Sequence, residues 1–554
     1  MATATGMATV TAMARPTARA TRNPARTGPD TMTRAFDLRR RPLSRVALAA
    51  LGLVAAVAQA PAVAQEEAAS AGGSRKGIAV IPRISVSETW TDNLALSPDN
   101  SRDRAFITTV SPGVTIASSS GAIRGSFDYT LDGIVYAKSE RDSRLQNQLS
   151  TRFTAELVQT ALYVDVTGNI SQQAISAFGQ QSPDGTLDSP NRTETRMLQV
   201  SPYWRGRLGS AATFELRATG QMRDSSEGGA GAASGSGNSK EGSLMLNLAG
   251  PAGRQLNWGL NASTSRMHFE QTGIDYRTTS VVGSLNWVPD IDWMLGVTGG
   301  RERSDYFGPE TTSVYGANLR WSPGPRTKLA ADWQHHSYGN SHNLSFEHRM
   351  SQLALRVNSS QSVNTGETPT QATNYQLLDL QFSGTEPDPV KRDALVRALL
   401  AALGLSPNSF SGAGFLSNTA TLQRRTDVSL IWSGPRLTTT FSANDNNSRR
   451  INTAPTGSGD LALTDRVRQR GATVSVGYRL TPLANANLSY SRQNSRGDGV
   501  GGNDMRSLTA NLTLRLGPRS DAAFGLRQTK FDDTSLFANS YQEHAIYASL
   551  TQRF

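Results

Sequence analysis

The chain alternates apolar and polar residues in one stretch after another, from about residue 83 to the C-terminus. In one such stretch Phe127 and Tyr129 share one parity, and Asp128 and Thr130 share the other. Residues two apart lie on the same face of an extended strand, so each stretch predicts a strand with one apolar and one polar face. About ten residues of such alternation, repeated with turns between the stretches, are typical of a transmembrane β-barrel.

The turns between these stretches fall into two classes that alternate along the chain. One class is tight and rich in Pro and Gly, as at Ser322–Pro325 and Gly517–Pro518, and the other is mostly long and polar, as at Ser171–Glu194 and Asp224–Glu241. Outer-membrane barrels have short periplasmic turns and long extracellular loops. Tryptophans gather near the tight turns, where a periplasmic aromatic girdle is expected. They are Trp204, Trp258, Trp287, Trp293, Trp321 and Trp432.

The sequence therefore predicts an all-β protein, a large antiparallel transmembrane β-barrel of about 22 strands over residues 83–554. The least regular of the predicted strands is residues 374–382, which is needed to keep the short and the long turns on opposite sides. Soluble β-sandwiches would show the same alternation within each strand, but they have no reason to alternate their turn lengths. A β-solenoid needs a fixed short repeat, and none is present.

Residues 384–418 interrupt the alternation and contain a predicted amphipathic helix. Asp388 is a suitable N-cap, Pro389 suits the first helical position and Gly404 suits the C-terminal end. Leucines recur at every fourth position from Leu395, so they share one face of the helix. We expect this insertion either to constrict the lumen or to cap a loop at the barrel rim.

Residues 1–64 have the composition of an N-terminal extension and a signal peptide. A basic run at 39–41 precedes an apolar segment at 46–58, and Ala62–Ala64 forms a small-residue cleavage site. We expect cleavage after Ala64, a translation start at Met32, and a periplasmic segment at residues 65–82. A cleaved signal peptide predicts export through the periplasm to the outer membrane of a Gram-negative bacterium.

The last strand predicted from the sequence ends on an aromatic residue, Phe554. Ile546, Ala548 and Leu550 share the parity of Phe554, so this strand has an apolar face that runs to its final residue. The last strand of a bacterial outer-membrane barrel has this pattern, and the barrel-assembly machinery reads it. Phe554 is therefore the predicted membrane-insertion signal.

The distribution of charge argues against a nucleic-acid partner. The formal net charge is +11, but residues 1–64 contain nine Arg and two Asp and account for +7 of it, which leaves +4 for the rest of the chain. Nucleic-acid-binding domains concentrate their positive charge in a patch or stripe. The predicted partners are instead outer-membrane lipid, lipopolysaccharide and the barrel-assembly machinery.

Charged residues on the polar parity of several strands are the candidate lumen-facing residues. Lipid excludes charge, so charges of both signs on this parity predict a hydrated interior. The candidates are Asp128, Asp132, Arg152, Glu156, Glu215, Arg217 and Arg479. The alternative is a lumen that is cross-linked by salt bridges and does not conduct.

No residue pattern predicts an enzyme, a cofactor site or a metal site. The chain contains no cysteine, which excludes disulfides and thiolate zinc ligands. His335, His336, His342 and His348 cluster in the sequence, but their spacing fits no recognised metal site. Serines are abundant, yet no nucleophile motif singles one out for a lipase-like reaction.

Five segments together show a resemblance to one family. They are Ile84–Leu94, Val110–Val114, the start of the predicted helix at 388–396, Asn418–Arg436 and Tyr478–Arg492. These segments resemble the outer-membrane proteins associated with the PEP-CTERM/exosortase system of Gram-negative bacteria. The resemblance implies placement beside exopolysaccharide biosynthesis and export, with exopolysaccharide or export-complex proteins as partners. It implies no catalytic residues.

Two functions are expected from these observations. The first is a porin-like conduit or accessory for exopolysaccharide secretion. The second is a structural or anchoring barrel that presents its surface loops to polysaccharide or to a protein partner without transport. A TonB-dependent receptor is disfavoured, because no plug-sized domain precedes the first predicted strand at residue 84.

Overall fold

The computed structural model describes residues 78–118, 121–137, 141–225, 238–251, 253, 255–364, 375, 396, 414–451, 459–535 and 538–554. Contacts divide the chain into two units, Met1–Arg75 and Lys76–Phe554, and all described residues belong to the second. The described strands are β1 (Ile78–Thr91), β2 (Ala105–Ser118), β3 (Ile123–Ala137), β4 (Arg144–Val158), β5 (Leu162–Ala174), β6 (Arg192–Leu208), β7 (Ala212–Ser225), β8 (Ser239–Ala249), β9 (Leu256–Phe269), β10 (Ile274–Asp290), β11 (Trp293–Ser304), β12 (Glu310–Gly324), β13 (Thr327–His336), β14 (Gly339–Arg349), β15 (Leu353–Asn364), β16 (Thr421–Ser433), β17 (Leu437–Arg450), β18 (Arg466–Thr481), β19 (Ala484–Gly497), β20 (Gly501–Arg515), β21 (Ser520–Asp533) and β22 (Tyr541–Arg553). A short helix, α1 (Asp460–Leu463), and a 3-10 helix (Asp99–Ser101) lie in loops.

The strands form one closed barrel. Each strand pairs with the next in the antiparallel sense, and β1 also pairs with β22, from Arg83 opposite Arg553 to Thr91 opposite Ala545. This closure leaves none of the 22 described strands with a free edge, as a β-structure in lipid requires. The predicted fold class, a large antiparallel β-barrel of about 22 strands, is confirmed. Among the described residues, no helix has both the length and the apolar character needed to cross a membrane.

The two ends of the barrel differ in the length of their connections. At one end the turns are tight: three residues separate β16 from β17, and two separate β18 from β19. At the other end seventeen residues, 175–191, separate β5 from β6. The first and last strand residues, Ile78 and Arg553, lie at the tight-turn end. In barrels of this type the tight-turn end is periplasmic and the long-loop end is extracellular.

The two faces of the wall differ in polarity because the side chains of a strand alternate between them. On β20, Leu508 points outward and is 43% exposed, whereas the neighbouring Ser507 and the more distant Asn511 point into the lumen and are buried. The six tryptophans lie on the outward parity near the tight turns, and Trp293 contacts Trp321 across strands at 5.5 Å. The outer face is therefore apolar in its middle and aromatic toward the periplasmic end.

The fifteenth strand differs from the sequence prediction. It is Leu353–Asn364 and not residues 374–382. Of residues 374–382 the structure describes only Tyr375, which is helical. The prediction missed the true strand because only its first half alternates, while Asn358–Gln361 is polar on both faces.

The N-terminal boundary of the barrel also differs from the prediction. β1 begins at Ile78, inside the segment predicted to be periplasmic (65–82), and its first residues pair with the end of β2. The predicted signal peptide at 1–64 lies outside the described residues. So does the helix predicted at 388–404, except for Val396, which is helical and fully buried.

Candidate functional site

The lumen face of the wall carries ion pairs and polar contacts between neighbouring strands. Asp128 on β3 accepts hydrogen bonds from both terminal nitrogens of Arg83 on β1, at 2.9 and 3.0 Å, and from Thr115 Oγ1 at 2.6 Å. Asp132, on the same strand, accepts a hydrogen bond from Gln148 Nε2 at 2.6 Å. These contacts link the lumen sides of the first four strands.

A second lumen cluster surrounds Arg217 on β7. Its guanidinium lies 2.7 Å from Asp165 and 3.1 Å from Glu215, and its central carbon lies 3.9 Å from the ring centre of Tyr203. Tyr203 in turn stacks on Tyr163, with ring centres 5.1 Å apart. The cluster combines charged groups of both signs with flat aromatic surfaces.

The other predicted lumen residues lie nearer the periplasmic turns. Glu156 accepts hydrogen bonds from Tyr163 Oη at 3.0 Å and from a turn backbone N–H at 2.6 Å. Arg152 occupies the lumen parity between Ser126 and Thr167. Arg479 donates to a carbonyl oxygen in the β16–β17 turn at 2.5 Å, so it joins the periplasmic end of β18 to that turn. The structure therefore distributes the seven predicted residues over the wall and does not bring them into one site.

The β5–β6 loop, residues 175–191 and hereafter the inward loop, packs against the lumen side of the extracellular end. Its Asp184 lies 2.7 Å from Arg527 Nη1 on β21, and Arg527 Nη2 lies 2.9 Å from Glu543 on β22. The side chains of Arg527 and Glu543 are 6% and 0% exposed. Burial opposes ionisation of Asp184, but the Arg527 guanidinium outweighs it and lowers the pKa of that carboxyl.

Wall side chains also bind the backbone of the inward loop. Tyr136 Oη donates to Thr186 O at 2.8 Å, and Tyr541 Oη donates to Gln181 O at 2.5 Å. Arg144 Nη2 donates to three successive carbonyl oxygens, those of residues 185–187, at 2.8–3.1 Å. Buried carbonyl groups need such partners, so these bonds fix the loop in one position.

A second loop, which contains α1, packs onto the inward loop. Asp460 of α1 accepts hydrogen bonds from Ser176 Oγ and from the Ala177 N–H, both at 2.6 Å. Burial raises the pKa of Asp460 to about 6, and the two hydrogen bonds oppose this shift only in part. Next to these bonds the fully buried Phe178 packs against Leu461.

The extracellular end of the lumen thus contains apolar clusters of the kind found in soluble cores. One is formed by the inward loop together with strands near the barrel closure, and another lies on the far side of the mouth. Their main members are Leu94, Ile107, Ile134, Leu187, Phe531 and Tyr541 in the first and Phe269, Tyr276, Tyr306 and Ile451 in the second. Loops and strand ends therefore pack together at the extracellular mouth, above the charged lumen.

The sequence did not predict the inward loop as a constriction. Its anchors are distant, since Asp184 and Arg527 are 343 positions apart. The sequence instead suggested residues 384–418, of which the structure describes Val396 and 414–418. A local signal did exist in the sequence: the inward loop is mostly polar but contains two large apolar residues, Phe178 and Leu187. Both are fully buried in the structure.

These features define a transmembrane β-barrel of the outer-membrane type, with an apolar outer face, a charged lumen and loops packed into its extracellular end. Within the described residues, no group of three or more His, Cys, Asp or Glu side chains could hold a metal ion. No protein-family model matches the chain, and no curated protein matches it.

Several solved structures are similar to this one. The siderophore receptor PirA from Pseudomonas aeruginosa has 11% identity over 87% of this chain and 81% of that chain, with a TM-score of 0.42. The siderophore receptor PiuA from Acinetobacter baumannii has 9% identity over 86% of this chain and 82% of that chain, with a TM-score of 0.45. At these identities and TM-scores the similarity gives no information about what this barrel binds.

Proposed function

We propose that this protein is a conduit in the outer membrane of a Gram-negative bacterium, and that the inward loop closes its extracellular mouth. The observation that carries this proposal is the buried triad of Asp184, Arg527 and Glu543, which ties the loop to the wall above a charged lumen. A buried ion pair adds little net stability compared with an apolar core, but removal of one partner is strongly destabilising because the other charge is left buried and unpaired. It therefore suits a closure that can be released.

The passenger that we propose is exopolysaccharide. Support comes from the resemblance of Ile84–Leu94 and Asn418–Arg436 to the barrels of the PEP-CTERM/exosortase system. A lumen with ion pairs such as Arg83–Asp128 offers exchangeable hydrogen bonds to a hydrated polymer. Cleavage after Ala64, recognition of Phe554 by the barrel-assembly machinery, and contact with outer-membrane lipid and lipopolysaccharide belong to the same proposal.

Conductance of the reconstituted barrel tests the conduit. The wild-type barrel in a planar bilayer should show small or rare openings, whereas replacement of residues 176–190 by a short Gly-Ser linker should give a large, steady conductance. Replacement of residues 227–236 in the β7–β8 loop is the matched control and should leave the conductance at the wild-type level. A third variant combines the first replacement with deletion of residues 384–413, the constriction suggested by the sequence.

A barrel that is folded, as shown by heat-modifiable gel migration, but silent in all three variants would contradict the conduit. The alternative is then a structural barrel that presents its loops to polysaccharide or to a protein partner, and the covered extracellular mouth is the observation that favours it. In cells the conduit predicts that loss of the barrel reduces secreted polysaccharide. The structural alternative predicts continued secretion, with attachment to the surface lost when residues 224–241 are deleted.

A further inference from the structure

Basic side chains gather on the outward face of one wall, on the extracellular side of its apolar part. We call this group the basic band. On β19, Arg492 follows the outward-facing Tyr490 by two residues, and on β20 Arg506 precedes the outward-facing Leu508 by two. The other members also lie on the outward parity, at the extracellular end of their strands. The band comprises Arg424 on β16, Arg449 on β17, Arg466, Arg468 and Arg470 on β18, Arg492 and Arg496 on β19, Arg506 on β20 and Lys530 on β21.

The carboxylates on this part of the wall do not neutralise the band. Asp445 lies 2.5 Å from Arg468 and 3.7 Å from Arg470, so one carboxylate is shared between two guanidinium groups. Asp504 is shared in the same way, between Arg492 and Arg506. Each of these trios keeps one positive charge, and among the described residues only Lys530 of the band has a carboxylate of its own, Asp532 at 3.2 Å.

Further band members lack a carboxylate partner among the described residues. These are Arg424, Arg449, Arg466 and Arg496, for which no ion pair with a described Asp or Glu is formed. The rest of the nearby β17–β18 loop, residues 452–458, contains no Asp or Glu in its sequence. The band therefore has a clear excess of positive charge.

Several of these cations stand directly opposite one another on neighbouring strands. Arg449 is opposite Arg466, Arg492 is opposite Arg506, and Arg506 is opposite Lys530. Like charges in directly opposite positions of an antiparallel sheet destabilise it. Asp504 already lies between Arg492 and Arg506, whereas no described carboxylate pairs with Arg449 or Arg466. An anion bound between Arg449 and Arg466 would remove their repulsion, so this pair in particular indicates an anionic ligand.

An apolar groove of about 760 Å³ lies below the band on the outer face. Its large side chains include Tyr478 and Phe524, and between them the small side chains of Ala486 and Ala510 leave a depression in the wall. The groove extends from β18 to β22 and onto β1, and the band extends from β16 to β21. On β18–β21 the basic band and the apolar groove therefore lie one above the other.

The wall formed by β6–β8 has no such excess of charge. At the extracellular ends of its strands the outward positions hold Glu194, Arg196, Asp224 and Lys240, two acidic and two basic residues. Glu194 and Arg196 form an ion pair at 2.8 Å. The wall of β6–β8 therefore lacks the excess of positive charge found on the basic band.

We propose that the basic band binds the phosphate groups of a phosphorylated glycolipid of the outer leaflet, the lipid A part of lipopolysaccharide, with an acyl chain in the groove beneath. This inference rests on the proposed outer-membrane location and names a specific ligand surface within it. Guanidinium groups form bidentate, charge-assisted hydrogen bonds with phosphate, and two opposed arginines can hold one phosphate between them. The acyl chain then covers an apolar surface that faces lipid.

Binding of defined lipids to the purified full-length barrel in neutral detergent tests the proposal. Native mass spectrometry compares bisphosphorylated lipid A with lipid A from which both phosphates have been removed. The Arg449→Gln/Arg466→Gln variant should bind the phosphorylated lipid about tenfold more weakly, the loss of roughly one charge-assisted phosphate contact. The Arg196→Gln/Lys240→Gln variant, which removes two outward cations from the other wall, should bind like the wild type.

Thermal stability gives a second readout that separates a binding role from a structural one. Without lipid A, the Arg449→Gln/Arg466→Gln variant should unfold at a higher temperature than the wild type, because the repulsion between the two cations is gone. Phosphorylated lipid A should raise the unfolding temperature of the wild type by more than that of the variant. If the arginines only stabilised the sheet, the variant would instead be less stable without lipid.

Three results would overturn the inference even if lipid A binds to the wild type. They are equal binding of phosphorylated and dephosphorylated lipid A, equal weakening in both double variants, and a band-dependent dimer that forms without lipid A. A barrel that conducts in phospholipid bilayers but binds no lipid A would end this inference and leave the conduit intact. A chain that is soluble without detergent would end the outer-membrane placement itself.

Discussion

The two ends of the lumen are held together by different kinds of contact. At the extracellular end, Arg527 and Glu543 are 6% and 0% exposed, and they hold a loop that is distant in sequence. Toward the periplasmic end, ion pairs join side chains of the wall strands to one another. Some are open, such as Arg320 and Asp332, which lie 3.0 Å apart and are 40% and 33% exposed. Others are more buried, such as Arg83 and Asp128 at 13% and 9%.

Because of this difference, the contacts that close the extracellular mouth are not the contacts that hold the barrel wall together. The wall is fixed by the backbone ladders that join all strands, so a side-chain pair such as Arg320–Asp332 adds little to it. The inward loop has no ladder of its own beyond its flanking strands and depends on side-chain contacts. Substitutions at the extracellular end should therefore change the mouth and spare the barrel, and those at the periplasmic end should change neither strongly.

The largest effect is expected for Arg527→Ala. The substitution leaves Asp184 and Glu543 buried without their cation, and removal of one partner from a buried pair costs about 3–5 kcal/mol. The inward loop should then detach, with faster amide hydrogen exchange over residues 175–191 and a higher conductance. Arg320→Ala is the control and should change stability by about 0–1 kcal/mol. Similar exchange in the two variants would remove the distinction between the two ends.

A smaller effect is expected where the inward loop packs against β19. A Cβ atom added at Gly497 would lie 2.5 Å from Phe178 Cζ, so Gly497→Ala should displace this ring at a cost of about 1–3 kcal/mol. Phe178→Ala should weaken loop docking by about 3 kcal/mol on its own. In the double variant the closest clash is gone and only Thr464 Cγ2, at 3.1 Å, stays close to the added Cβ atom, so Gly497→Ala should then cost much less. Additive effects on loop hydrogen exchange would show that Phe178 does not occupy this position.

The strands could be predicted from the sequence because their signal is local. Phe127 and Asp128 report the two faces of β3 without any knowledge of the neighbouring strands. The exception, β15, shows the limit of this signal. Its outward-facing Ser359 forms hydrogen bonds with Thr426 Oγ1 at 3.0 Å and with His342 Nε2 at 3.1 Å. Neighbouring strands therefore supply hydrogen-bond partners for a polar residue at a position where the alternation predicts an apolar one.

The site could be predicted only in part. The lumen parity of Asp128 and Arg217 follows from alternation, but their partners Arg83 and Asp165 depend on strand order and register. The contacts of the inward loop depend on closure of the whole barrel, because Asp184 meets Arg527 only after strands at both ends of the chain have come together. A local pattern does not encode such contacts.

The smallest effect is expected from pH, and it again concerns only the extracellular end. The pKa of Asp460 is about 6 when the two loops are packed together, above the ordinary value of 3.8, because burial disfavours the charged form. The packed state therefore binds the proton more tightly, so packing is most stable at low pH and weakens as the pH rises through about 6. Linkage gives a loss of about 1 kcal/mol between pH 5 and pH 7.

Hydrogen exchange of residues 175–191 at pH 5 and pH 7, corrected for the intrinsic exchange rate, measures this loss. Asp184 titrates below this range because its pKa is lowered, so it should not contribute. Asp460→Asn is close in shape and does not ionise, and it should abolish the pH dependence of loop opening while the barrel stays folded. If the dependence persists in Asp460→Asn, another group controls the contact between the loops, and the extracellular mouth does not respond to pH through α1.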